Sequence, residues 1–401
     1  MASVPNDYVY LDYAATAPLC EEAAEAMAPY QVPGRANLAV GGNANSLHGP
    51  GRAAFAALEE ARRSIARDLG ARRPDGIVFT SGATEADDAA LLGIAQAAAD
   101  ERRRRGAGDF VPHVVVTAVE HDAVLAPAKR LESQGFRVTR LAPNRQGFIE
   151  ERALEAALDA DTVLVSVQAA NSEVGSIQPI ADLARVAHDH AALFHTDAVQ
   201  ALGKARVNLQ ELNVDAASFS AHKVGGPKGV GALYLRARTP FHAYAIGGGQ
   251  EGGRRSGTQN VAGIVGFAAA VHAATAMQEA EAARLRVLRD RLYERLGAID
   301  AVEATVDVAP GSEDFLPNIV HVLVDGLESE TLILRFDMQG FGVSGGSACS
   351  SHSLEPSHVL RSLGIDADRA HGALRISMGR YTDEADVEAF AVAMEKSLNW
   401  N

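Results

Sequence analysis

The sequence predicts an α/β fold organised around a mainly parallel sheet. Short apolar segments alternate with helix-length stretches over much of the chain. Strands that are separated by helices form βαβ units, and such units assemble into mainly parallel sheets with helices on both faces. Several polar residues directly follow the apolar segments, which places them at the sheet edge where α/β proteins bind ligands. The apolar segments are residues 77–80, 114–117, 163–167, 193–195 and 217–219.

Length and composition restrict the class of protein. The 401 residues are enough for two domains, because single cores stop growing at roughly 250–300 residues. The formal net charge of -14 argues against non-specific binding to nucleic acid or to a membrane surface. No apolar stretch reaches the ~18 residues of a membrane-spanning helix, and two cysteines exclude a disulfide framework. We therefore expect a cytoplasmic protein with no membrane partner, no direct nucleic-acid partner and no metal site.

The pattern of segments changes after Gly257. Residues 261–296 form one long helical pattern, and a shorter α+β region follows it. We place the domain boundary inside this helix. The expected large domain is residues 21–279, and the expected small α+β domain is residues 1–20 and 280–401. The predicted strands of the small domain are residues 318–324 and 374–377, and its predicted helices are residues 328–338, 356–363 and 383–396.

A small, hydroxyl-bearing turn follows the strand-like residues 77–80. Ser81, Gly82, Ala83 and Thr84 lead from this segment into a helical pattern. The first turn of a helix presents unpaired backbone N–H groups, which can bind a phosphate. The alternative interpretation is that Ser81 or Thr84 only caps the helix.

Asp197 follows the strand-like residues 193–195. A carboxylate at a buried strand end is costly unless a positive group pairs with it. A protonated pyridine nitrogen is such a group, and a ring that keeps this proton is a strong electron sink. The alternative interpretation is a carboxylate that caps the next helix.

Lys223 lies where a strand-like segment meets a glycine-rich turn. Ser220, His222 and Lys223 stand in one short stretch, and three glycines follow within six residues. If the stretch is extended, Ser220 and His222 face one side, where both can bind a phosphate, and Lys223 faces the other. Such a lysine is suited to capture a carbonyl cofactor as a Schiff base. A surface lysine before a hairpin is the alternative, and it leaves the histidine, the serine and the glycines unexplained.

Cys349 lies in a stretch of small polar residues. Glycines and serines dominate residues 342–353, and this composition gives a flexible, hydrated backbone. A thiol on a mobile loop can reach both a buried cofactor and an external acceptor; the alternative is an incidental cysteine on the surface. Cys20 starts a helix-like stretch, so we expect a packing residue there. A Schiff-base lysine and a mobile thiol together indicate sulfur chemistry on an amino acid.

These residues resemble the motifs of the class V aminotransferase family, specifically those of cysteine desulfurases of the NifS/IscS type. The resemblance runs nearly from end to end, and its motifs keep their order along the chain. It implies a type I pyridoxal-phosphate transferase fold with a seven-stranded sheet, pyridoxal 5′-phosphate as the cofactor, and a homodimer with shared active sites. The matching segments are residues 10–18, 81–85, 120–121, 197–200, 220–223, 255–258, 346–357 and 374–380.

The resemblance also implies roles for individual residues. Lys223 would bind the cofactor, Asp197 would pair with its pyridine nitrogen, and His121 would stack on its ring and exchange protons. Arg375 would hold the substrate carboxylate with its planar set of donors, and Cys349 would take the substrate sulfur as a persulfide. The other implied contacts are Gln200 to the ring oxygen, Asn171 and Ser172 to the substrate, Ala83, Thr84, Ser220 and His222 to the phosphate, and Thr258 to the phosphate of the partner subunit.

Three residues depart from the family pattern. Ser172 stands where an asparagine usually gives an amide to the cofactor and the substrate, and Asn171 is the neighbour that would compensate. Tyr13 and Asp88 each replace another asparagine. These changes affect the details of substrate binding rather than the class of reaction.

The sequence therefore predicts an L-cysteine desulfurase that forms L-alanine and passes sulfur to an acceptor protein. Iron–sulfur scaffold proteins, tRNA-thiolation proteins and other sulfur-incorporating enzymes all fit as acceptors. A selenocysteine lyase, or another pyridoxal-phosphate-dependent C–S lyase, is the alternative enzyme. The alternative from another class is a catalytically idle scaffold subunit, and the presence of Lys223, Asp197 and Cys349 argues against it.

Overall fold

A computed structural model describes residues 7–106, 110–346 and 356–399. Cys349 lies outside these ranges. Numbered in chain order, the strands are β1 Val9–Tyr10, β2 Ile77–Thr80, β3 His113–Thr117, β4 Arg137–Leu141, β5 Thr162–Ser166, β6 Leu193–Asp197, β7 Ala216–Ser220, β8 Gly231–Leu235, β9 Val302–Ala304, β10 Ile319–Val324, β11 Phe341–Gly342 and β12 Ala373–Ser377. The α-helices are α1 Glu21–Met27, α2 Gly49–Asp68, α3 Ala83–Asp88, α4 Ala95–Arg104, α5 Asp122–Ser133, α6 Glu151–Ala157, α7 Ile180–Asp189, α8 Leu209–Leu212, α9 Val261–Ala276, α10 Gln278–Gly297, α11 Ser329–Met338, α12 His358–Ser362, α13 Ala367–Ala370 and α14 Glu384–Leu398.

Seven strands form the central sheet in the order β2-β8-β7-β6-β5-β3-β4. Strands β7, β6, β5, β3 and β4 pair in parallel, whereas β8 runs antiparallel to both of its neighbours. Side chains of β3 alternate between two cores: Val115 packs with α2, α7 and α9, whereas Val114 and Val116 pack with α4 and α5. The predicted mainly parallel, seven-stranded sheet with helices on both faces is confirmed.

A smaller α+β region contains the remaining strands. Strands β12, β10 and β9 form an antiparallel sheet in that order, and β1 pairs in parallel with β11. Leu285 of α10, Phe336 of α11 and Phe390 of α14 share one hydrophobic core with Leu374 of β12. The strands predicted at residues 318–324 and 374–377 correspond to β10 and β12. The division of the chain into domains at residues 20 and 280 stays a prediction.

The single long helix predicted at residues 261–296 is wrong, because the chain bends at Met277. Helix α9 ends just before this residue, α10 begins just after it, and the two helices differ in direction by 68°. Phe267 of α9 belongs to the core of the large sheet, whereas Leu292 of α10 belongs to the core of the small region. Packing against two different cores therefore explains the bend.

Within the described ranges, no single helix is long and apolar enough to cross a membrane. Helices α9 and α10 meet that test of length and composition only when the bent pair is counted together.

A buried ion pair joins α2 to the glycine-rich segment that precedes α9. The Arg62 guanidinium donates to the Glu251 carboxylate through both terminal nitrogens, at 2.7 and 3.0 Å. It also donates to the carbonyl of Ile77, and the N–H of Phe79 donates to Glu251 at 3.0 Å. Both charged side chains are buried. The pair therefore fixes the segment around Glu251 against β2, and each charge depends on the other.

We expect Arg62→Met to lower the free energy of unfolding by about 3–5 kcal/mol, because it leaves the buried Glu251 carboxylate without its counter-charge. The double variant Arg62→Met/Glu251→Leu should recover most of this loss. Arg63 on the same helix is the matched control, since its pair with Glu60 is exposed and Arg63→Met should change stability by less than about 1 kcal/mol. Urea denaturation measures all three variants, and equal losses for Arg62→Met and Arg63→Met would contradict the expectation.

Candidate active site

Most of the predicted site residues meet in one cavity of about 450 Å³. The chain segments that follow β2, β5, β6 and β7 all line it, because these strands run in the same direction and end at the same edge of the sheet. The predicted residues that line the cavity are Ala83, Thr84, His121, Ser172, Asp197, Gln200, Ser220, His222, Lys223 and Arg375.

Two of the predicted residues that the structure describes, Asn171 and Thr258, are not among those that line the cavity. Asn171 is buried beside it, and its carboxamide is engaged by the backbone: Oδ1 accepts from the N–H groups of Glu173 and Val174, and Nδ2 donates to the carbonyl of Val119. Thr258 is exposed, and Cys349 lies outside the described ranges. The roles of these three residues stay predictions.

Lys223 lies in a 3₁₀ turn at residues 221–223 rather than in an extended segment. The strand ends at Ser220, so the alternation expected for the following residues is wrong, and Ser220, His222 and Lys223 all line the same cavity. The Lys223 amine donates to the carbonyl oxygens of Ala14 and Ala15, at 2.5 and 2.9 Å. Two neutral acceptors from the N-terminal segment therefore hold the amine in place.

Asp197 ends β6 as a buried carboxyl group. Its Oδ1 accepts from the N–H of Val199 at 2.9 Å. Burial raises the pKa of Asp197, and the Val199 N–H, His121 and Lys223 offset this rise only in part. An ionised carboxylate in this position needs a positive partner, as a protonated ring nitrogen would be.

The turn between β2 and α3 has the features of a phosphate site. The Glu85 carboxylate accepts from the N–H of Ser81 at 2.6 Å and pairs with Arg255 at 2.7 Å, which fixes the shape of the turn. A side chain at Gly231 would place its Cβ 2.6 Å from the carbonyl carbon of Gly82, so only glycine permits this close approach of β8. The first N–H groups of α3 lie where a phosphate can accept from them.

His222 is the other predicted phosphate ligand. Its Nδ1 lies 3.1 Å from the Thr16 hydroxyl oxygen. Burial, with a smaller effect of the nearby Lys223, lowers the pKa of His222 to about 4. The imidazole is therefore neutral at pH 7 and donates a single N–H.

Arg375 supplies a buried guanidinium to the cavity. Its Nη1 donates to the carbonyl of Ser172 at 3.0 Å, and its Nη2 donates to the Asp12 carboxylate at 2.8 Å. Its Nε has no hydrogen-bond partner within the described part of the chain. A guanidinium that is held at two nitrogens and still has a donor to offer is suited to bind a carboxylate.

The three residues that depart from the family pattern differ in their position relative to the cavity. Ser172 lines the cavity. Tyr13 does not line it and packs against Gly379, where an added Cβ would lie 2.1 Å from the tyrosine ring. Asp88 is half-buried and also lies off the cavity. Of the three, Ser172 is therefore the one placed to affect a bound ligand directly.

The sequence analysis missed several residues that line the cavity. Asp87 stands three residues after Thr84, and this spacing places both on one helix face, which is a signal that points to it. Gln168 follows β5 and donates to the carbonyl of Val119 at 2.6 Å. Other missed residues are Lys228 and the pair Ala14 and Ala15. The match of residues 10–18 to the family motifs was a signal for the two alanines, whereas the local sequence carries none for Lys228.

Comparison with known proteins agrees with this architecture. The profile of the Aminotransferase class-V family matches residues 9–390. The cysteine desulfurase IscS of Dictyoglomus turgidum is 42% identical over 390 residues, covering 97% of this chain and 94% of that protein. The cysteine desulfurase IscS of Pectobacterium carotovorum is 41% identical over 392 residues, covering 97% of this chain and 92% of that protein.

Solved structures show the same fold. A NifS-like protein superposes with a TM-score of 0.87 at 36% identity, covering 98% of this chain and all of that chain (100%). SspA in complex with cysteine superposes with a TM-score of 0.76 at 33% identity, covering 94% of this chain and 100% of that chain. The predicted type I pyridoxal-phosphate fold is thereby confirmed. Because the family profile matches nearly the whole length and the fold is shared throughout, the chain belongs to the class V aminotransferase family.

Proposed function

We propose that the protein is an L-cysteine desulfurase that uses pyridoxal 5′-phosphate and passes sulfur to an acceptor protein. The observation that carries the proposal is one cavity that unites Lys223, Asp197 and Arg375. These residues supply an amine for a carbonyl cofactor, a carboxylate for its ring nitrogen and a guanidinium for an amino-acid carboxylate. The names of the curated relatives, cysteine desulfurase, support the choice of reaction.

The residues of the cavity fit pyridoxal 5′-phosphate. Its volume of about 450 Å³ lies in the usual range for cofactor sites. Asp197 and the turn before α3 match the ring nitrogen and the phosphate. Gln200 donates through Nε2 to the carbonyl of Ala14 at 2.9 Å, while its buried Oε1 has no partner within the described ranges. That oxygen is available to the ring hydroxyl of the cofactor.

The chain's own residues divide the chemistry between them. When bound, pyridoxal 5′-phosphate supplies the electron sink that makes the Cα proton of an amino acid acidic. The Lys223 amine is the group that binds the cofactor carbonyl and then accepts this proton. His121 covers the cavity from the start of α5, where its Nδ1 accepts from the N–H of Ala123 at 3.1 Å. Arg375 fixes the substrate carboxylate, and Asp197 keeps a proton on the ring nitrogen.

We assign sulfur removal to Cys349. Its thiolate attacks Sγ of L-cysteine, the new S–S bond forms as the Cβ–Sγ bond breaks, and the bonding electron pair stays with the carbon fragment. That fragment takes up protons and leaves as L-alanine, and Cys349 becomes a persulfide. A free thiol has a pKa near ~8.5, so a base must remove its proton, and His121 is the proposed acceptor.

The same proposal includes partners and location. A homodimer is supported by the exposed Thr258 in a glycine-rich segment, which Arg255 anchors to Glu85 beside the phosphate turn. An acceptor protein is required because a persulfide is useful only after transfer. A cytoplasmic location is supported by the small number of cysteines.

Lys223 is expected to form the covalent link to the cofactor. The purified protein should absorb in the visible region, and borohydride should fix the cofactor to one peptide that contains Lys223. Lys228 is the matched control because it lines the same cavity: Lys228→Arg should keep the label and Lys223→Ala should lose it. Peptide mass spectrometry reads the result, and a label on Lys228 in the unmodified sequence would refute the assignment.

Cys349→Ala is expected to bind the cofactor and L-cysteine normally, because Lys223, Asp197 and Arg375 remain. Production of alanine and sulfide should nevertheless fall by about 10²-fold or more, and no protein persulfide should form. Cys20→Ala should leave turnover unchanged, since this thiol is buried and its pKa is raised by burial. Turnover of selenocysteine should be measured beside that of cysteine, because the comparison distinguishes a desulfurase from a selenocysteine lyase. Undiminished cysteine turnover in Cys349→Ala would favour a C–S or selenocysteine lyase.

The shared active site predicts that two inactive variants complement each other. In a homodimer of either variant, Lys223→Ala or Thr258→Val, both active sites carry the lesion. A mixed dimer of the two variants holds one site with neither lesion. After subunit exchange at equal amounts, about one quarter of the original activity should return. Mixing Lys223→Ala with Lys223→Ala/Thr258→Val should restore nothing. An active protein that is monomeric on sizing, or exchange without recovery, would exclude the shared site.

A further inference from the structure

Asp87 is a buried carboxyl group with no role in the chemistry described above. It lies near the end of α3, lines the cofactor cavity and is only 1% exposed. Neither of its carboxyl oxygens has a hydrogen-bond partner within residues 7–106, 110–346 and 356–399. The helix continues beyond it as a π-helical turn at Ala89–Ile94, an irregularity that is frequent at functional sites. Such an unpartnered polar group in a cavity wall needs an explanation.

Basic side chains line the same cavity, but the neighbours with the largest effect on Asp87 carry no positive charge. Nε2 of His195 lies 3.6 Å from Oδ1 of Asp87. The two nitrogens of this imidazole lie 2.8 and 3.0 Å from the hydroxyl oxygens of Ser166 and Ser218. Burial lowers the pKa of His195 to about 3, so the ring is neutral. The other ionisable groups with the largest effect on the pKa of Asp87 are carboxyl groups, namely Asp197, Glu120 and Asp88.

Protonation of the Asp87 carboxyl group removes the free-energy cost of burying an unpaired negative charge. An unpaired carboxylate is expensive to bury, and two carboxyl groups that share a site do not readily ionise together. Burial, followed by repulsion from Asp197, raises the pKa of Asp87 well above its ordinary value, and the nearby Ser218 hydroxyl opposes this only in part. Burial also raises the pKa of Asp197, but Asp197 differs from Asp87 in accepting a hydrogen bond from the N–H of Val199, and this bond, with the nearby His121 and Lys223, favours its ionised form.

We propose that Asp87 is a positioning residue that keeps a proton on its own carboxyl group and thereby leaves Asp197 as the single negative charge of the pair. The inference rests on the proposed function, which places the ring nitrogen of the cofactor at Asp197. One negative charge matches the one positive charge of a protonated ring nitrogen, so the buried pair carries no surplus charge.

Two spectroscopic measurements on the cofactor-loaded protein test the proposal. Infrared spectroscopy should show the C=O stretching band of a protonated aspartic acid, and this band should be absent in Asp87→Asn. The ¹⁵N resonance of ring-labelled cofactor should be the same in both proteins, because a neutral amide replaces a neutral acid. The dissociation constant of the cofactor should change by less than about threefold. Asp197→Asn should instead move the ¹⁵N resonance to that of an unprotonated pyridine.

Glu120→Gln is the matched control. Glu120 is also buried, and burial raises its pKa to about 8, so at neutral pH this variant should remove a separate glutamic-acid band and leave the Asp87 band in place. Incorporation of aspartate labelled with ¹³C at the side-chain carboxyl should shift the Asp87 band in the unmutated protein, a measurement that does not require any variant to fold.

An ionised Asp87 would give the opposite results. No aspartic-acid band would be seen, and Asp87→Asn would shift the ¹⁵N resonance because a charge is lost; either finding would overturn the proposal. If Asp197→Asn leaves the ¹⁵N resonance unchanged, the placement of the cofactor at Asp197 is at fault, and the proposal falls with it even if the infrared band shows that Asp87 itself holds a proton.

Discussion

The active site depends on a short N-terminal segment, residues 11–17, that is hydrogen-bonded to both parts of the molecule. On the small sheet, it exchanges backbone hydrogen bonds with Ser377, which lies two residues after Arg375. On the large sheet, its carbonyl groups accept from the side chains of Lys223 and Gln200. This segment therefore sets the distance between the amine that handles the cofactor and the guanidinium that would hold the substrate. The amine and the guanidinium line one cavity because a single segment, which turns at residues 13–15, connects the elements that carry them.

Burial decides which groups in this region carry charge. Glu120, which follows β3, and His195 of β6 are both fully buried, and in both cases burial shifts the pKa toward the neutral form, to about 8 and about 3. Folded Glu120 therefore keeps its proton at pH values where an exposed glutamate has lost it. Because the folded state binds this proton more tightly, Glu120 makes the free energy of unfolding fall as pH rises from about 4.5 to 8. Both side chains are therefore mainly neutral at pH 7, and neither of them is among the residues that line the cofactor cavity.

The sequence was sufficient to predict the central sheet and the sheet edge at which the cofactor site lies, because both predictions depend on local sequence patterns. Apolar segments in alternation with helices predict parallel strands, and polar residues after those strands predict the contents of the cavity. The break at Met277 escaped prediction because neither glycine nor proline marks it; packing against two cores produces it. The 3₁₀ turn at Lys223 and the backbone contacts of Asn171 likewise depend on neighbours that are distant in sequence or on turn geometry.

The serine at position 172, where the family usually has an asparagine, changes contacts of the side chain but not those of the backbone. Arg375 donates to the backbone carbonyl of this residue, so its position does not depend on whether a serine or an asparagine stands there. The preceding Asn171 holds the turn through the N–H groups of Glu173 and Val174. Glu173 in turn accepts from the hydroxyl of Ser357, at 2.6 Å, on the segment that follows the predicted Cys349 loop. The substitution therefore removes one amide from the cavity wall, whereas the backbone that positions the carboxylate-binding arginine and anchors that segment is unaffected.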